Sequence, residues 1–496
     1  MELSADSLQI LMVTSEAVPF AKTGGLADVV SALSLELSRN GHDVRLVMPR
    51  YYSISRDGMD KRPEPLGVPM TIREEWAAVY ETTLPDSEVP VYFLDHEGFY
   101  GREGIYGPRP DKEYSDNVRR FAFLCRGVFQ LCRMLSWVPH ILHGHDWVAG
   151  LVPYYQKKYE LQSEFSNTAS VLTIHNLGYQ GIFPLEDVKY IQDETDWLSM
   201  STFEFSGALN LLKTGIICGD EITTVSPTYA REIQTPGFGH GLNGLLNYRK
   251  EDLTGILNGI DYTTWNPADD PYIKPHNFSV ENRKNKAKLK RVLQKEAGLT
   301  VDTGLPLVGM VTRLAEQKGI AALCGPGHGS LADILENLQV QIVILGNGEA
   351  WCEDELKRLD VRFSNLKAWI GYDERLSHLI EAESDFFLMP SLYEPCGLNQ
   401  LYSLAYGTLP IVRRTGGLAD TVENYNQATG SGTGFVFDDL NPSVLYNVMK
   451  WVLETWYNRK HHIHRMIRTG MKLRFSWSRA AEEYQAVYTK ALKKKE

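Results

Sequence analysis

Thr23-Gly24-Gly25-Leu26-Ala27-Asp28 returns near the other end of the chain as Thr415-Gly416-Gly417-Leu418-Ala419-Asp420. Each copy follows a short apolar run and precedes a stretch that can open a helix. A T-G-G turn feeding a helix presents backbone N–H groups and the positive end of a dipole, which suits a phosphate or a sugar hydroxyl. The plainer reading is a tight strand-to-helix turn that needs glycine for backbone reasons. Working outward from the two copies, β-branched runs alternate with helix-like stretches, the pattern of parallel α/β sheets. In the first half the expected strands are 9–14, 44–48, 91–94, 141–142, 171–174 and 222–225. In the second they are 307–311, 341–345, 368–370, 386–389, 410–412 and 435–437. Two doubly wound sheets in succession are therefore expected, with a link at residues 258–275, which are rich in Pro, Asp and aromatic residues and carry no periodicity.

The chain has 496 residues, more than one domain usually holds, and 43% hydrophobic with 23% charged residues is ordinary for a globular protein. A formal charge of −11 argues against a general nucleic-acid binder and against docking on an anionic membrane. A neutral polymer, or a small ligand in a locally basic pocket, fits better. The six cysteines (Cys125, Cys132, Cys218, Cys324, Cys352, Cys396) show no C-x-x-C spacing, which suits reduced, buried thiols in a cytoplasmic compartment. The N-terminus lacks a basic region, and the apolar run 8–13 is too short for a leader or a membrane span.

Several strand ends carry polar side chains, and open α/β sheets bind ligands at the carboxyl ends of their strands. Arg313 and Lys318 leave the strand at 307–311, close enough to share one diphosphate; two solvated surface cations are the plainer alternative. Lys22 precedes the first T-G-G turn as a third cation. Glu394, in Ser391-Leu392-Tyr393-Glu394-Pro395-Cys396-Gly397-Leu398, could accept hydrogen bonds from sugar hydroxyls or merely complement a helix dipole. His175 and Asn176 close the run 171–174, as a site or as a satisfied core pair. In His143-Gly144-His145-Asp146-Trp147 the H-x-H spacing lacks a third ligand, so no metal is expected, whereas a carboxylate beside an indole suits a sugar. His461-His462-Ile463-His464 reads as a solvated helix face. Gly346-Asn347-Gly348 begins like a dinucleotide fingerprint, but Trp351 stands where the third glycine belongs.

Together these residues resemble the bacterial and plant glycogen/starch synthase family. The likeness is carried by Lys22-Thr23-Gly24-Gly25-Leu26, His143–Trp147, Thr173-Ile174-His175-Asn176-Leu177, Leu257-Asn258-Gly259-Ile260-Asp261, the Arg313/Lys318 segment, Glu394–Leu398 and Arg414-Thr415-Gly416-Gly417-Leu418, in family order over almost the whole chain. The resemblance implies a GT-B fold: two Rossmann-like domains facing across a cleft. Residues 1–260 would form the acceptor side, 261–475 the donor-nucleotide side, and 476–496 a helix crossing back. It implies that Arg313 and Lys318 hold the donor diphosphate, that Lys22 approaches donor and acceptor, that Glu394 binds glucose hydroxyls and that the His175 region supports an oxocarbenium-like state. Tyr372 would pack near the base. Asp28, Asp146, Asn176 and Asn258 would line the sugar sites together with Gly24, Gly25, Cys396, Gly397, Leu398, Thr415, Gly416 and Gly417. No metal or cofactor is implied beyond a sugar nucleotide, ADP-glucose by analogy with this branch, with UDP-glucose open. The acceptor would be glycogen or another α-1,4-glucan, attacking from the front face with retention.

Two features depart from related two-domain transferases. The second glutamate expected eight positions after Glu394 is Tyr402, which favours the glycogen synthase branch over other hexosyltransferases. Cys324-Gly325-Pro326-Gly327-His328-Gly329 interrupts an expected helix. A different hexosyltransferase, a glucan phosphorylase, a nucleotide-dependent oxidoreductase and a non-catalytic glucan-binding protein are the rival readings. Oligomeric state is not legible.

Overall fold

A computed structural model describes residues 7–109, 112–191 and 197–496. Two compact units emerge. The first gathers the chain up to Val225 with Ala230–Gly259 and Trp477–Glu496; the second takes Ser226–Tyr229 and Ile260–Ser476.

Among the described residues the first unit contains β1 (Gln9–Val13), β2 (Asp43–Pro49), β3 (Asp60–Lys61), β4 (Leu66–Pro69), β5 (Glu74–Thr83), β6 (Pro90–Asp95), β7 (Ile141–His145) and β8 (Ala169–Ile174). It also holds β9 (Ile182–Pro184), β10 (Glu204–Phe205), β11 (Ala208–Asn210), β12 (Glu221–Thr224) and β13 (Leu253–Gly255). The main sheet runs β13-β12-β8-β7-β1-β2-β6-β5-β3, with β4 on β5. From β13 to β6 every pairing is parallel, and β5 then turns antiparallel. Strands β7, β8 and β12 are buried along their whole length, as expected where helices cover both faces. Direction of winding reverses between β1 and β7, so their carboxyl ends flank a crevice of the kind that binds ligands in doubly wound sheets. The closing helix Trp477–Lys493 packs in this unit: Tyr488 Oη lies 2.8 Å from His143 Nδ1, and Lys490 Nζ lies 2.7 Å from Glu221 Oε2.

The second unit holds β14 (Leu307–Val311), β15 (Gln341–Gly346), β16 (Leu366–Ile370), β17 (Phe386–Met389), β18 (Leu409–Arg413) and β19 (Phe435–Phe437), all parallel. Their order, β16-β15-β14-β17-β18-β19, is the doubly wound 3-2-1-4-5-6 arrangement with its switch point between β14 and β17. Alternate side chains feed two cores. Val308, Met310, Ile342 and Ile344 face one layer, and Leu307, Val343 and Leu345 face the other.

Both sheets expected from the sequence are present, with strand ends shifted by at most three residues. Strands β3, β4, β5, β9, β10, β11 and β13 were not anticipated. Two further expectations need correction. The histidine run is not simply a solvated face: in the helix Lys460–Lys472, His462 is buried and its Nδ1 lies 2.7 Å from Tyr425 Oη, because the helical period turns 462–463 inward. Trp147 is no open sugar platform either; it is buried, edge-on to Phe121 at 4.9 Å. Tyr402 stacks on Trp265 with ring centroids 3.8 Å apart, so the position that might have carried a glutamate belongs to an aromatic stack. The Cys324–Gly329 segment forms the turn between the helices Ile320–Cys324 and Leu331–Asn337. All six cysteines are buried free thiols. No helix among the described residues is long and apolar enough to cross a membrane.

Candidate active site

In the second unit the loops after β14, β15, β17 and β18 build one constellation at the strand carboxyl ends. Loop 312–319 is braced by the loop after β15: Leu314 N donates to Asn347 O (2.8 Å), Glu349 N to Leu314 O (2.8 Å), and Glu316 N to Glu349 Oε1 (3.0 Å). A Cβ on Gly346 or Gly348 would run into the carbonyl of Thr312 or Leu314. The incomplete glycine fingerprint is thus a backbone brace for the loop that carries Arg313 and Lys318.

Lys318 Nζ lies 2.6 Å from Glu394 Oε2, which also accepts from Ser391 Oγ at 2.9 Å. Glu394 is buried, and the Lys318 side chain is 18% exposed. A carboxylate so enclosed needs its cation, and the cation keeps one open side for an anion. Arg313 is exposed, and its Nη2 donates to Gln317 Oε1 at 3.1 Å. Cys396 is buried, Leu398 packs partly into the core, and Gly397 turns the loop at φ +71°. Tyr372, after β16, is 71% exposed.

The two T-G-G copies prove unlike, which corrects the expectation of open N–H groups at both. In the second copy Gly417 N donates to Glu394 O and Pro395 O, both at 3.1 Å, and a Cβ there would collide with Cys396 O. Gly416 adds a left-handed φ of +44°, and Thr415 is buried. These glycines let the turn lie against the Glu394 loop. Gly417→Ala is expected to cost about 3 kcal/mol, the upper end of overpacking penalties, read as a lower midpoint in denaturant with an unchanged slope. An unshifted midpoint would show that the loop yields without cost. The aspartates diverge too: Asp420 holds Thr228 N (2.9 Å) and Oγ1 (2.5 Å), whereas Asp28 pairs with Lys22 Nζ at 2.8 Å.

In the first copy Lys22, Thr23, Gly24 and Gly25 are exposed, and nothing lies within 4 Å of a Cβ placed on Gly24. The helix Gly25–Arg39 starts there without a side-chain cap. Lys22 and Asp28 side chains are 44% and 32% exposed, so their pairing is weak. Thr23 is fixed from below by Glu16, which accepts from its N–H and, at 2.8 Å, from its hydroxyl. Glu16 is 2% exposed and also accepts from Tyr106 Oη at 2.5 Å. Sequence reading missed Glu16. The available signal was an acid three residues past β1, beside the switch point.

Beyond β7 and β8 lies a buried polar cluster. Asp146 adopts φ +57°, a strained backbone for a non-glycine residue, and its Oδ1 accepts from His175 N at 2.7 Å. His145 Nδ1 and His175 Nε2 are 3.0 Å apart, and His143 Nε2 is 2.6 Å from Thr173 Oγ1. Burial drives His143 and His175 down to about 3 and lowers His145 strongly, so all three imidazoles are neutral. Burial pushes the Asp146 carboxyl up to about 7, against the pull of the His175 and Asn176 N–H groups. A carboxyl that titrates near neutrality beside neutral imidazoles can hold or accept a proton or sugar hydroxyls. Asn176 Oδ1 accepts from Gly178 N at 2.9 Å. Asn258 is buried, and its Oδ1 has no hydrogen-bond partner among the described residues. No group of three or more His, Cys, Asp or Glu among the described residues is placed to hold a metal ion.

Residues 9–248 match the family described as starch synthase catalytic domain, and residues 294–471 match glycosyl transferases group 1. A glycogen synthase from Treponema denticola is 51% identical over 98% of this chain and 99% of its own length. Glycogen synthase 1 of Geobacter metallireducens is 45% identical over 98% and 97%. Among solved structures, the catalytic domain of Arabidopsis thaliana starch synthase IV, bound to ADP and acarbose, superposes with a TM-score of 0.88 at 30% identity, covering 98% of this chain and 100% of that one. Sucrose-phosphate synthase from Thermosynechococcus elongatus shares the fold at a TM-score of 0.59 and 15% identity, covering 97% and 98%.

Proposed function

The chain belongs to the glycogen synthase family of retaining glycosyltransferases with the GT-B fold, and from that premise we propose that it moves glucose from ADP-glucose to the non-reducing end of an α-1,4-glucan. The observation that carries this reading is the Lys318–Glu394–Ser391 arrangement at the β14/β17 switch point, with Arg313 on the same loop as Lys318. Departure of a nucleoside diphosphate builds negative charge, which Arg313 and Lys318 offset. Glu394 takes glucose hydroxyls while its other oxygen keeps the ammonium oriented. Gly397, Leu398 and Cys396, with Thr415, Gly416 and Gly417, shape the sugar and phosphate seat, and Tyr372 packs against the base.

Residues 1–260 are assigned the acceptor side and residues 261–475 the donor side, with the helix of 476–496 belonging to the acceptor side. Lys22 with the open N–H groups at Gly24 and Gly25 binds substrate oxygens, and Asp28, Asp146, Asn176 and Asn258 hold hydroxyls. His175, neutral and fixed, presents its ring and backbone to the oxocarbenium-like carbon. Attack by the acceptor 4-hydroxyl on the face the phosphate leaves gives retention, the phosphate taking the proton. The enzyme works in the cytoplasm, without metal or further cofactor.

Support for an adenine donor comes from the ADP held by the starch synthase IV relative. Labelled ADP-glucose and UDP-glucose offered side by side with glycogen, in chelator, should give incorporation chiefly from ADP-glucose. Faster incorporation from UDP-glucose would overturn the donor assignment, and dependence on added metal would overturn the metal-free route.

A further inference from the structure

Gln317 sits where two functional loops join. Its side-chain Oε1 accepts from Arg313 Nη2 at 3.1 Å, and its Nε2 donates to Tyr393 O at 3.2 Å. Its own carbonyl accepts from Leu392 N at 2.8 Å. One half-buried amide therefore spans from the guanidinium to the residue that immediately precedes Glu394. Ordering the long side chain of an exposed arginine costs rotamer entropy, whatever else it touches. An amide anchored on a backbone carbonyl at one end and facing the guanidinium at the other removes part of that cost before ligand arrives.

We infer that Gln317 is a positioning residue: it presents the Arg313 guanidinium in register with the Glu394 loop, so that cation and carboxylate meet one sugar diphosphate together. The inference rests on the assignment of Arg313 to the donor diphosphate. Orientation matters because amide oxygen must face the arginine and amide nitrogen the carbonyl. Leucine fills a similar volume yet offers neither.

The test is a double-mutant cycle on the full chain, reading kcat, KM for sugar nucleotide and for glucan, and ADP affinity by calorimetry. Gln317→Leu should lower kcat/KM for the sugar nucleotide about tenfold and weaken ADP comparably, leaving the KM for glucan unchanged. In an Arg313→Ala background the same substitution should change neither quantity by more than about twofold. Equal losses in both backgrounds would mean a general structural role and overturn the inference. So would a Gln317→Leu enzyme within twofold of the parent. Gln317→Met, which keeps the chain length, serves should the leucine variant not fold, and the same outcomes apply. If Arg313→Ala alone leaves ADP affinity intact, the diphosphate assignment fails first and the inference with it; that result is distinct from a cycle that is merely additive.

Discussion

Glu394→Gln is expected to lower glucosyl transfer by about 10²- to 10³-fold while the protein stays folded. The side chains are isosteric, so the loss isolates charge. In the parent, Glu394 Oε2 sits 2.6 Å from Lys318 Nζ and accepts from Ser391 Oγ. Neutralising the carboxyl leaves that ammonium with a weaker partner in a site where the Glu394 side chain is only 8% exposed. Breaking a buried pair by removing one charge costs about 3–5 kcal/mol, and the residual exposure of Lys318 pulls the figure toward the lower end. Stability and catalysis would then fall together and be hard to separate. Glu394→Gln with Lys318→Met resolves them. The double variant no longer buries a lone charge, so its unfolding midpoint should recover toward the parent while transfer stays at least as low as in either single variant. Recovery of activity along with stability would remove the pair from the chemistry and leave it a structural bridge.

What the sequence made legible follows from burial. Strands β1, β7, β8, β12, β14 and β17 are covered on both faces, so they read as apolar runs with little ambiguity. β5 was invisible to the same search because it lies near the sheet edge. Its residues Glu74-Glu75-Trp76-Ala77-Ala78-Val79 alternate between exposed and buried, but the charge of Glu75 is turned inward and the indole of Trp76 outward, so no apolar alternation marks the strand. The remaining unexpected strands are two to four residues long, too short for any period to register. Arg313, Lys318, Glu394 and His175 were nameable because each lies just beyond a buried strand. Glu16 and Gln317 were not, since their importance lies in which atoms they bridge, and no spacing along the chain encodes that Gln317 faces Tyr393. The repeat Thr23–Asp28 and Thr415–Asp420 misled for a related reason. Identical residues suggested identical exposure, yet one turn is open and the other is locked under the Glu394 loop. Trp147 misled through its neighbour: Asp146 turns back to His175 while the indole joins the core.

Asp146→Asn should make the protein more stable and less active, with a stability gain that depends on pH. Burial raises the native carboxyl to about 7, from its ordinary 3.8. As pH climbs from about 4 to 7 the unfolded chain releases this proton and the native state keeps it, so the aspartate term lowers stability across that window and is flat above it. At 1.36 kcal/mol per unit the penalty above pH 7 reaches about 4 kcal/mol. His143 and His175, held neutral by burial with values of about 3 against the ordinary 6.5, act in the opposite sense. They cost stability as pH falls below about 6.5, and His145 shifts in the same direction. Parent and variant share those histidines, so the difference between them reports the carboxyl alone. Asparagine can still accept from His175 N, and the strained backbone at φ +57° costs Asn no more than Asp. Denaturant unfolding should therefore place the variant above the parent at pH 8 by a few kcal/mol, with the gap mostly closed by pH 4.5. A gap independent of pH, or a variant weaker at pH 8, would mean that Asp146 is ionised at no cost. A fold that tolerates so expensive a carboxyl is expected to use it: transfer should drop about tenfold or more in the stabilised variant, the exchange between stability and activity found where a polar group is buried for its chemistry.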